Sequence, residues 1–458
     1  MTAGALSALR AAQREPVSGV VVCAHQPATA HFVGASALPQ GFAVRVGDHP
    51  VPGPSSLDAG DAIAAAVLDV EPGDVALVLI SGGTTSLAAA PVGALSLDVG
   101  DVERAQTHIA NLADTLLESG LAIHEMNAIR RRVLRWGAGR LAVALDARGA
   151  SAIPVFAISD VVGDDPSVIG SGPCSPDTLD DASFLALLDA HQVRGALERD
   201  MSVFLGVSGS GTPPHVPSME HTAFRKVSYR VVARNANAVA ALADAARLEG
   251  ITHVSQDTAP MLGEAAVLGH DLAQRALAIA AATSRHESAL VVLGGEPVVH
   301  LRDTYQHAFD ASDGDEQQSE TLQPDDIFIA PLDDLLARDT AATVSTSADE
   351  PMSGGRMQVL ALAAALALEA AAESGDRNAR RITILAAGTD GRDGPTDAAG
   401  AIVDALVPAL ARREGRQPER DLLTGRSWFP LNGAGALLRT GPTGTNVMDI
   451  VALLIDAA

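Results

Sequence analysis

Four short loops in this chain place glycine beside hydroxyl or carboxylate side chains immediately after an apolar, β-branched run. That arrangement lets backbone N–H groups and side chains converge on an anion or a hard cation. Ser81-Gly82-Gly83-Thr84-Thr85-Ser86 follows Val75–Ile80, and its paired glycines suit either a phosphate or carboxylate cradle or a tight structural turn. Asp160 stands at the end of Ile153–Ile158, with a second small-residue loop at Gly170–Pro173, and Gly294-Gly295-Glu296 follows Leu290–Leu293. Thr389, Asp390, Asp393, Thr396 and Asp397 crowd the loop after Arg381–Ala386. Carboxylates bunched in this way could bind Mg²⁺, Asp390 and Asp393 being the candidate ligands, or act as a general base. Asx-turns and a helix N-cap are the plainer reading of the same aspartates.

Three further groups have chemical potential. Glu125, Asn127, Arg130, Arg131, Arg132 and Arg135 lie close together in IHEMNAIRRRVLR, where an arginine could grip an anionic substrate through a bidentate fork while others form surface ion pairs. His49, in DHPVPGPSS, has a loop setting compatible with a binding site or a structural role, and Thr443 and Asn446 belong to a Gly/Thr loop, TGPTGTN. There is no G-x-G-x-x-G, no G-K-[ST] and no H-E-x-x-H, so the fingerprints of dinucleotide binding, a Walker A loop and zinc proteolysis are missing.

These loops need a scaffold that presents strand ends. Short β-branched runs alternate with Ala/Leu-rich stretches, which predicts parallel strands joined by helices. Strands are expected at Gly19–Cys23, Val75–Ile80, Ile153–Ile158, Ser228–Val232, Leu290–Leu293 and Arg381–Ala386. Helices are expected at Ser56–Asp69, Asp98–Ser119, Asp180–His191, Asn235–Glu249, Gly263–Ala282, Met357–Ser374, Asp397–Arg412 and Val447–Asp456, with Asn235 and Asp397 as N-caps. Val207–Pro217 reads as a linker, and the acidic segment Arg302–Pro351 as an insertion with one strand at Ile327–Ala330.

A length of 458 residues suggests two domains, and 47% hydrophobic residues with only 3% aromatics allow a core of Ala, Val, Leu and Ile. The net charge of −24 argues against nucleic acid and anionic membranes as partners. Of 32 basic residues, only Lys226 is a lysine. Two cysteines, Cys23 and Cys174, fit a reducing compartment, so a cytoplasmic location is expected.

The loops together resemble the glycerate kinase family that carries a MOFRL domain, whose members are also labelled hydroxypyruvate reductases. The resemblance runs through HPVPGPSS at His49, LISGGTTSLAAAPV at Leu79, IHEMNAIRRRV at Ile123 and SDVVGDDPSVIGSGPCSPD at Ser159. It continues through GGE at Gly294, SGGRMQVLALA at Ser353, AAGTDGRDGPTDAAGAIVD at Ala386 and TGPTGTNVMDI at Thr440. It implies an α/β protein of two domains, a Rossmann-like parallel-sheet N-terminal domain over 1–225 and a smaller MOFRL-type α/β domain over 226–458, with an active site in the cleft between them.

The implied reaction is ATP-dependent, Mg²⁺-assisted phosphorylation of D-glycerate to 2-phosphoglycerate, with a homodimer as one assembly open to the protein. Arg356 matches the family's catalytic arginine, Asp390 and Asp393 its acidic loop. The implied contacts to substrate and nucleotide are His49, Ser81, Gly82, Gly83, Thr84, Glu125, Asn127, Arg130, Asp160, Gly295, Glu296, Thr389, Asp393, Thr443 and Asn446. Family members carry a Gly-Lys-Ala segment ahead of an Ala-rich helix. The sequence given opens inside that helix, so a start upstream of Met1 is expected. The family's G-G-R-N-Q-E reads Gly354-Gly355-Arg356-Met357-Gln358-Val359 here. A relative that binds a sugar acid or nucleotide without turnover, or a hydroxypyruvate reductase, are the other functions in view.

Overall fold

The computed structural model describes residues 1–14, 18–24, 38, 41–49, 51–92, 111, 112, 115, 116, 119, 121, 123–198, 216–299 and 354–457. Outside these lie residues 207–215 of the expected linker, the acidic segment 302–351 with its strand at 327–330, and most of the helix expected over 98–119. The chain divides into two compact units, Met1–Ala233 and Arg234–Ala458. No helix among the described residues is long and apolar enough to cross a membrane.

Unit 1 runs α1 (Thr2–Ala11), β1 (Gly19–Cys23), β2 (Phe42–Val46), α2 (Pro54–Leu68), β3 (Val78–Ile80), α3 (Thr84–Leu87), α4 (Ile123–Val133), α5 (Arg140–Ala147), β4 (Ile153–Ile158), α6 (Asp181–Ala190) and β5 (Val227–Ala233). Strands β3, β4 and β5 form a parallel sheet in that order, and β1 pairs with β2, also in parallel. Along β4, Ile153, Val155 and Ala157 are fully buried on one face, where they pack with Ile80, Trp136, Leu141, Leu145 and Cys174. This period of two is the ordinary consequence of strand geometry. The run expected as a strand from Val75 contributes only an isolated bridge, Val75 to Ala152, before β3 begins.

Unit 2 continues with α7 (Asn235–Leu248), β6 (His253–Gln256), α8 (Ala265–Ala282), β7 (Ala289–Gly295), α9 (Arg356–Glu373), β8 (Ile382–Gly388), β9 (Gly400–Val403), α10 (Val407–Arg413), α11 (Pro418–Leu423), α12 (Trp428–Gly433), β10 (Leu437–Leu438) and β11 (Asp449–Ile455). Its six strands lie in the order β10-β9-β8-β11-β7-β6, and only β6 with β7 is parallel. The parallel alternation predicted along the whole chain therefore describes unit 1, whereas unit 2 has a mixed sheet.

The segment expected to close the chain as a helix is the central strand β11, antiparallel to both β7 and β8. Both faces of this sheet are covered. Val291, Leu293, Ile384, Ala386, Val451 and Leu453 face one core with α8 and α9, while Leu290, Val292 and Ala452 face another with Val239, Ala243 and Ala246 of α7. A strand buried on both sides loses its alternation and reads as a continuous apolar run, which periodicity alone does not separate from a buried helix. The helix expected over Asp397–Arg412 is likewise split, because Gly400–Val403 pairs with β8 before α10 begins.

Helix α9 is buried from Met357 to Glu369 on all sides, as an all-apolar helix must be in water. It packs on α8 at unusually close range. A Cβ at Gly269 would lie 2.2 Å from the Leu360 carbonyl oxygen, so only glycine admits this approach of the two backbones.

Candidate active site

In unit 1 the chain leaves β3 at Ile80 and turns through Ser81, Gly82 and Gly83 into α3. Gly83 adopts φ 79°, a left-handed conformation that favours glycine. A Cβ at Gly82 would lie 1.8 Å from Asp160 Oδ2, one at Gly83 3.1 Å from His49 Cδ2, and one at Gly170 2.7 Å from Ile80 Cγ2 and 3.2 Å from Thr84 Oγ1. The glycines thus let His49, Asp160 and the 170–173 loop close around Ser81–Thr84, so residues far apart in sequence meet at the carboxyl ends of β3 and β4. The hydroxyls serve partly within the loop: Thr84 Oγ1 donates to Ser81 O at 2.7 Å, Ser86 Oγ to Gly83 O at 3.1 Å, and Thr85 Oγ1 and Ser171 Oγ share a bond of 2.6 Å. The turn carrying His49 is set by Asp48, whose Oδ2 accepts from the Ser55 N–H at 2.9 Å and whose own N–H donates to Ser56 Oγ at 2.9 Å.

The arginine cluster separates by role. Arg132 is fully buried, with Nε 2.8 Å from Asp177 Oδ2, Nη1 2.6 Å from Asp181 Oδ1, a further bond to the Leu179 carbonyl, and its guanidinium 4.7 Å from the Phe184 ring centre. Arg131 also pairs with Asp177, and Arg135 with Asp61. Arg131 and Arg132 thus share a buried pair with Asp177 rather than the surface pairs expected from their sequence, while the buried Arg135 reaches an Asp61 side chain that is exposed. Arg140 donates to the carbonyls of Arg131, Arg132, Leu134 and Gly137, closing the end of α4, and burial pulls its guanidinium down to about 10. Arg130 differs: no carboxylate among the described residues pairs with it, and burial alone lowers its pKa. A desolvated cation of this kind gains most from an incoming anion. Glu125 Oε2 stands 3.6 Å from His191 Nε2, and Asn127 is half-buried on the same helix.

Unit 2 assembles a second cluster around Arg356, the first residue of α9. Its Nε donates to Asp449 Oδ2 at 2.6 Å and its Nη1 to Glu296 Oε1 at 3.1 Å. Asp449 opens β11 and was hidden in the sequence by its placement in a presumed helix. Asp393 takes the N–H groups of Met357 at 3.1 Å and Gln358 at 2.7 Å, one on each carboxylate oxygen, and so caps α9. Gln358 Nε2 returns a bond to Thr396 Oγ1 at 2.7 Å. Burial raises the Asp393 carboxyl to about 6, against the backbone N–H groups that favour its charge, and burial raises Asp449 to about 7, against the attraction of Arg356.

Other expected contacts hold the loops in place. Thr389 Oγ1 donates to Met448 O and accepts from the Val447 N–H, Thr443 Oγ1 donates to Thr389 O, and Asn446 Oδ1 accepts from the Met448 N–H. Asp397 does not cap a helix; it accepts from Trp428 Nε1 and Arg439 Nε. Nor is Asn235 an N-cap, since its Nδ2 donates to the carbonyls of Val447 and Asp449 and ties α7 to the start of β11. Asp390 is half-buried, with Oδ1 accepting from the Arg392 N–H at 2.9 Å. Among the described residues, no group of three or more His, Cys, Asp or Glu side chains is placed to hold a metal by itself.

The sequence matches the family described as a domain of unknown function, DUF4147, over residues 1–206, and the MOFRL family over 337–449. A glycerate kinase of Macaca fascicularis is 30% identical over 83% of this chain and 89% of its own length. A protein of Agrobacterium vitis, named provisionally as a hydroxypyruvate reductase, is 32% identical over 99% of this chain and 98% of its own. This chain belongs to the glycerate kinase family with a MOFRL domain. Within that family, D-glycerate 2-kinase of Thermotoga maritima is 28% identical over 90% of this chain and 80% of its own. The crystal structure of a Thermotoga maritima glycerate kinase superposes with a TM-score of 0.65 at 25% identity, covering 99% of this chain and 95% of the other. As a family member, the chain carries its arginine cluster in the DUF4147 portion and Arg356, Asp390, Asp393 and Asp449 in the MOFRL portion.

Proposed function

We propose that this member of the glycerate kinase family transfers the γ-phosphoryl group of ATP to the 2-hydroxyl of D-glycerate, forming 2-phosphoglycerate and ADP. The observation that carries the reading is Arg356, held by two carboxylates yet one-third exposed, in a family whose named relatives include glycerate 2-kinases. A guanidinium has five N–H donors. Asp449 and Glu296 take two, leaving three for the oxygens of a phosphoryl group in transfer. Such transfer relies on positioning and on neutralising charge spread over those oxygens. In unit 1, the Ser81–Thr84 turn has His49 and Asp160 beside it, and Arg130, a desolvated cation with no carboxylate partner among the described residues, is suited to the glycerate carboxylate.

Magnesium enters such a reaction on the ATP phosphates and needs only one or two protein carboxylates. Asp390 fits that role, being half-buried with one oxygen committed to its own loop. Asp393 is buried and each of its oxygens accepts a backbone N–H of α9, which favours a structural role for it. When bound, magnesium supplies further neutralisation of phosphate charge. The hydroxyl proton leaves late in a loose transition state, so no strongly basic side chain is required.

The test is to incubate the full chain with D-glycerate, ATP and Mg²⁺ and identify the phosphorylated carbon by ³¹P and ¹H NMR. Phosphate on carbon 2 is the expected result. Phosphate on carbon 3, saturable binding without product, or oxidation of NADH with hydroxypyruvate would each overturn the proposal.

A further inference from the structure

We propose that Asp449 is a positioning residue of this reaction: it holds the Arg356 guanidinium through Nε, so that the remaining N–H donors meet the transferred phosphoryl group in one fixed plane. This rests on reading Arg356 as the group that stabilises that phosphoryl.

The two partners of Arg356 are unequal. The Glu296 side chain is 39% exposed and 3.1 Å from Nη1, a rim contact of the kind that contributes little in water. The Asp449 side chain is 5% exposed and 2.6 Å from Nε. A carboxylate buried so deeply is costly unless it is paired, so its orientation and that of the arginine depend on one another. Because Asp449 lies behind the guanidinium, with Arg356 the more exposed of the two, it acts through Arg356 rather than on substrate.

The backbone makes the mount rigid. Asp449 is the first residue of the central strand, in register with Gly295 of β7 on one side and Gly388 of β8 on the other. The Asn235 amide bonds its carbonyl at 2.9 Å. Neither glycine neighbour has a side chain to intrude: a Cβ at Gly388 would already stand 3.4 Å from Asp449 Oδ1 and 3.1 Å from Asp390 Oδ1. Among the described residues, the charged groups around Asp449 are Arg356, Glu296, Asp393 and Asp390, of which Arg356 alone is a cation.

The experiment compares Asp449→Asn, Asp449→Glu, Arg356→Ala and the double variant Asp449→Asn/Arg356→Ala, reading kcat, both KM values and Tm. Asp449→Glu keeps the charge and displaces the carboxylate by one methylene, which guards against loss of folding in Asp449→Asn. A misplacement of about 1 Å costs about 100-fold in rate, so both Asp449 variants should lose about 10- to 100-fold in kcat with KM for ATP and glycerate within about twofold. The double variant should be no slower than Arg356→Ala alone, because the aspartate has nothing left to position. Losses that multiply in the double variant, or wild-type kcat in both Asp449 variants while Arg356→Ala is impaired, would overturn this inference alone. Wild-type kcat in Arg356→Ala would overturn the reading of Arg356 and this inference with it.

Discussion

Replacing Arg132 with methionine should separate the structural arginines of α4 from Arg130, the one proposed to meet substrate. Arg132 is 0% exposed and Asp177, its main partner, is equally buried at the side chain. Removing one member of a buried ion pair costs about 3–5 kcal/mol, because the other charge stays in a poor dielectric. Two features pull the value toward the lower end. Asp177 keeps Arg131 at 2.8 Å, and the bond from Arg132 to Asp181 involves a carboxylate that is 62% exposed, hence weak. Loss of the contact with Phe184 adds about 1 kcal/mol. A net loss of about 3–4 kcal/mol should lower Tm by about 6–16 °C at the scale of 2–4 °C per kcal/mol for a domain of this size, with kcat and KM of the folded fraction unchanged. Arg130→Met should do the opposite. It removes a desolvated charge that no carboxylate among the described residues pairs with, so Tm should move little, while loss of one charge-assisted contact of about 1.5–3 kcal/mol should raise KM for glycerate by about 10- to 150-fold. Differential scanning fluorimetry with steady-state kinetics on both variants decides the matter. Arg132→Met with intact Tm and a tenfold loss of kcat/KM would refute the division.

Gly82→Ala should cut kcat/KM by at least tenfold with little change in far-UV circular dichroism, since the added methyl would stand 1.8 Å from Asp160 Oδ2 and must displace that carboxylate from the loop; unchanged kinetics would show that Asp160 does not need its present place. Gly269→Val should destabilise unit 2 by about 1–3 kcal/mol in urea titration, because its side chain would press on the Leu360 carbonyl between α8 and α9, and a neutral effect would deny the close packing. Asp393 and Asp449 are raised from 3.8 to about 6 and about 7, so the native state keeps protons that the unfolded chain has already lost. Their contribution to stability is therefore greatest below about pH 4, falls as pH rises through about 6 and 7, and is level above that. Urea midpoints measured from pH 5 to 8 should slope downward less steeply in Asp449→Asn than in the unsubstituted chain; parallel slopes would count against a carboxyl raised by burial.

Much of the scaffold was legible because local patterns and tertiary demands agree. Ile153–Ile158 appears as a strand with the expected bounds, Asn235–Glu249 as a helix one residue shorter at its end, and Met357–Ser374 as a helix shifted by one residue at each end. Legibility failed where pairing overrode local preference. Val447–Asp456 looks helical in isolation, but it is the central strand of a sheet buried on both faces. That error also concealed Asp449, because a residue within a supposed closing helix has no reason to meet Arg356.

The sequence by itself determined which chemistry was available: glycine loops able to admit close neighbours, carboxylates in a Gly-rich turn, and arginines concentrated on one helix. It determined their placement at strand ends too, since β-branched runs and the loops after them are local features. The tertiary structure alone decided which of these groups are spent on the fold. Asp393 caps α9, Arg132 neutralises Asp177 and Thr389 pins the start of β11, whereas Arg130 has no carboxylate partner among the described residues and Arg356 is only partly engaged by Asp449 and Glu296. The physical reason is that a side chain's role depends on its partners and its access to water, and those are set by contacts between residues as far apart as Arg356 and Asp449.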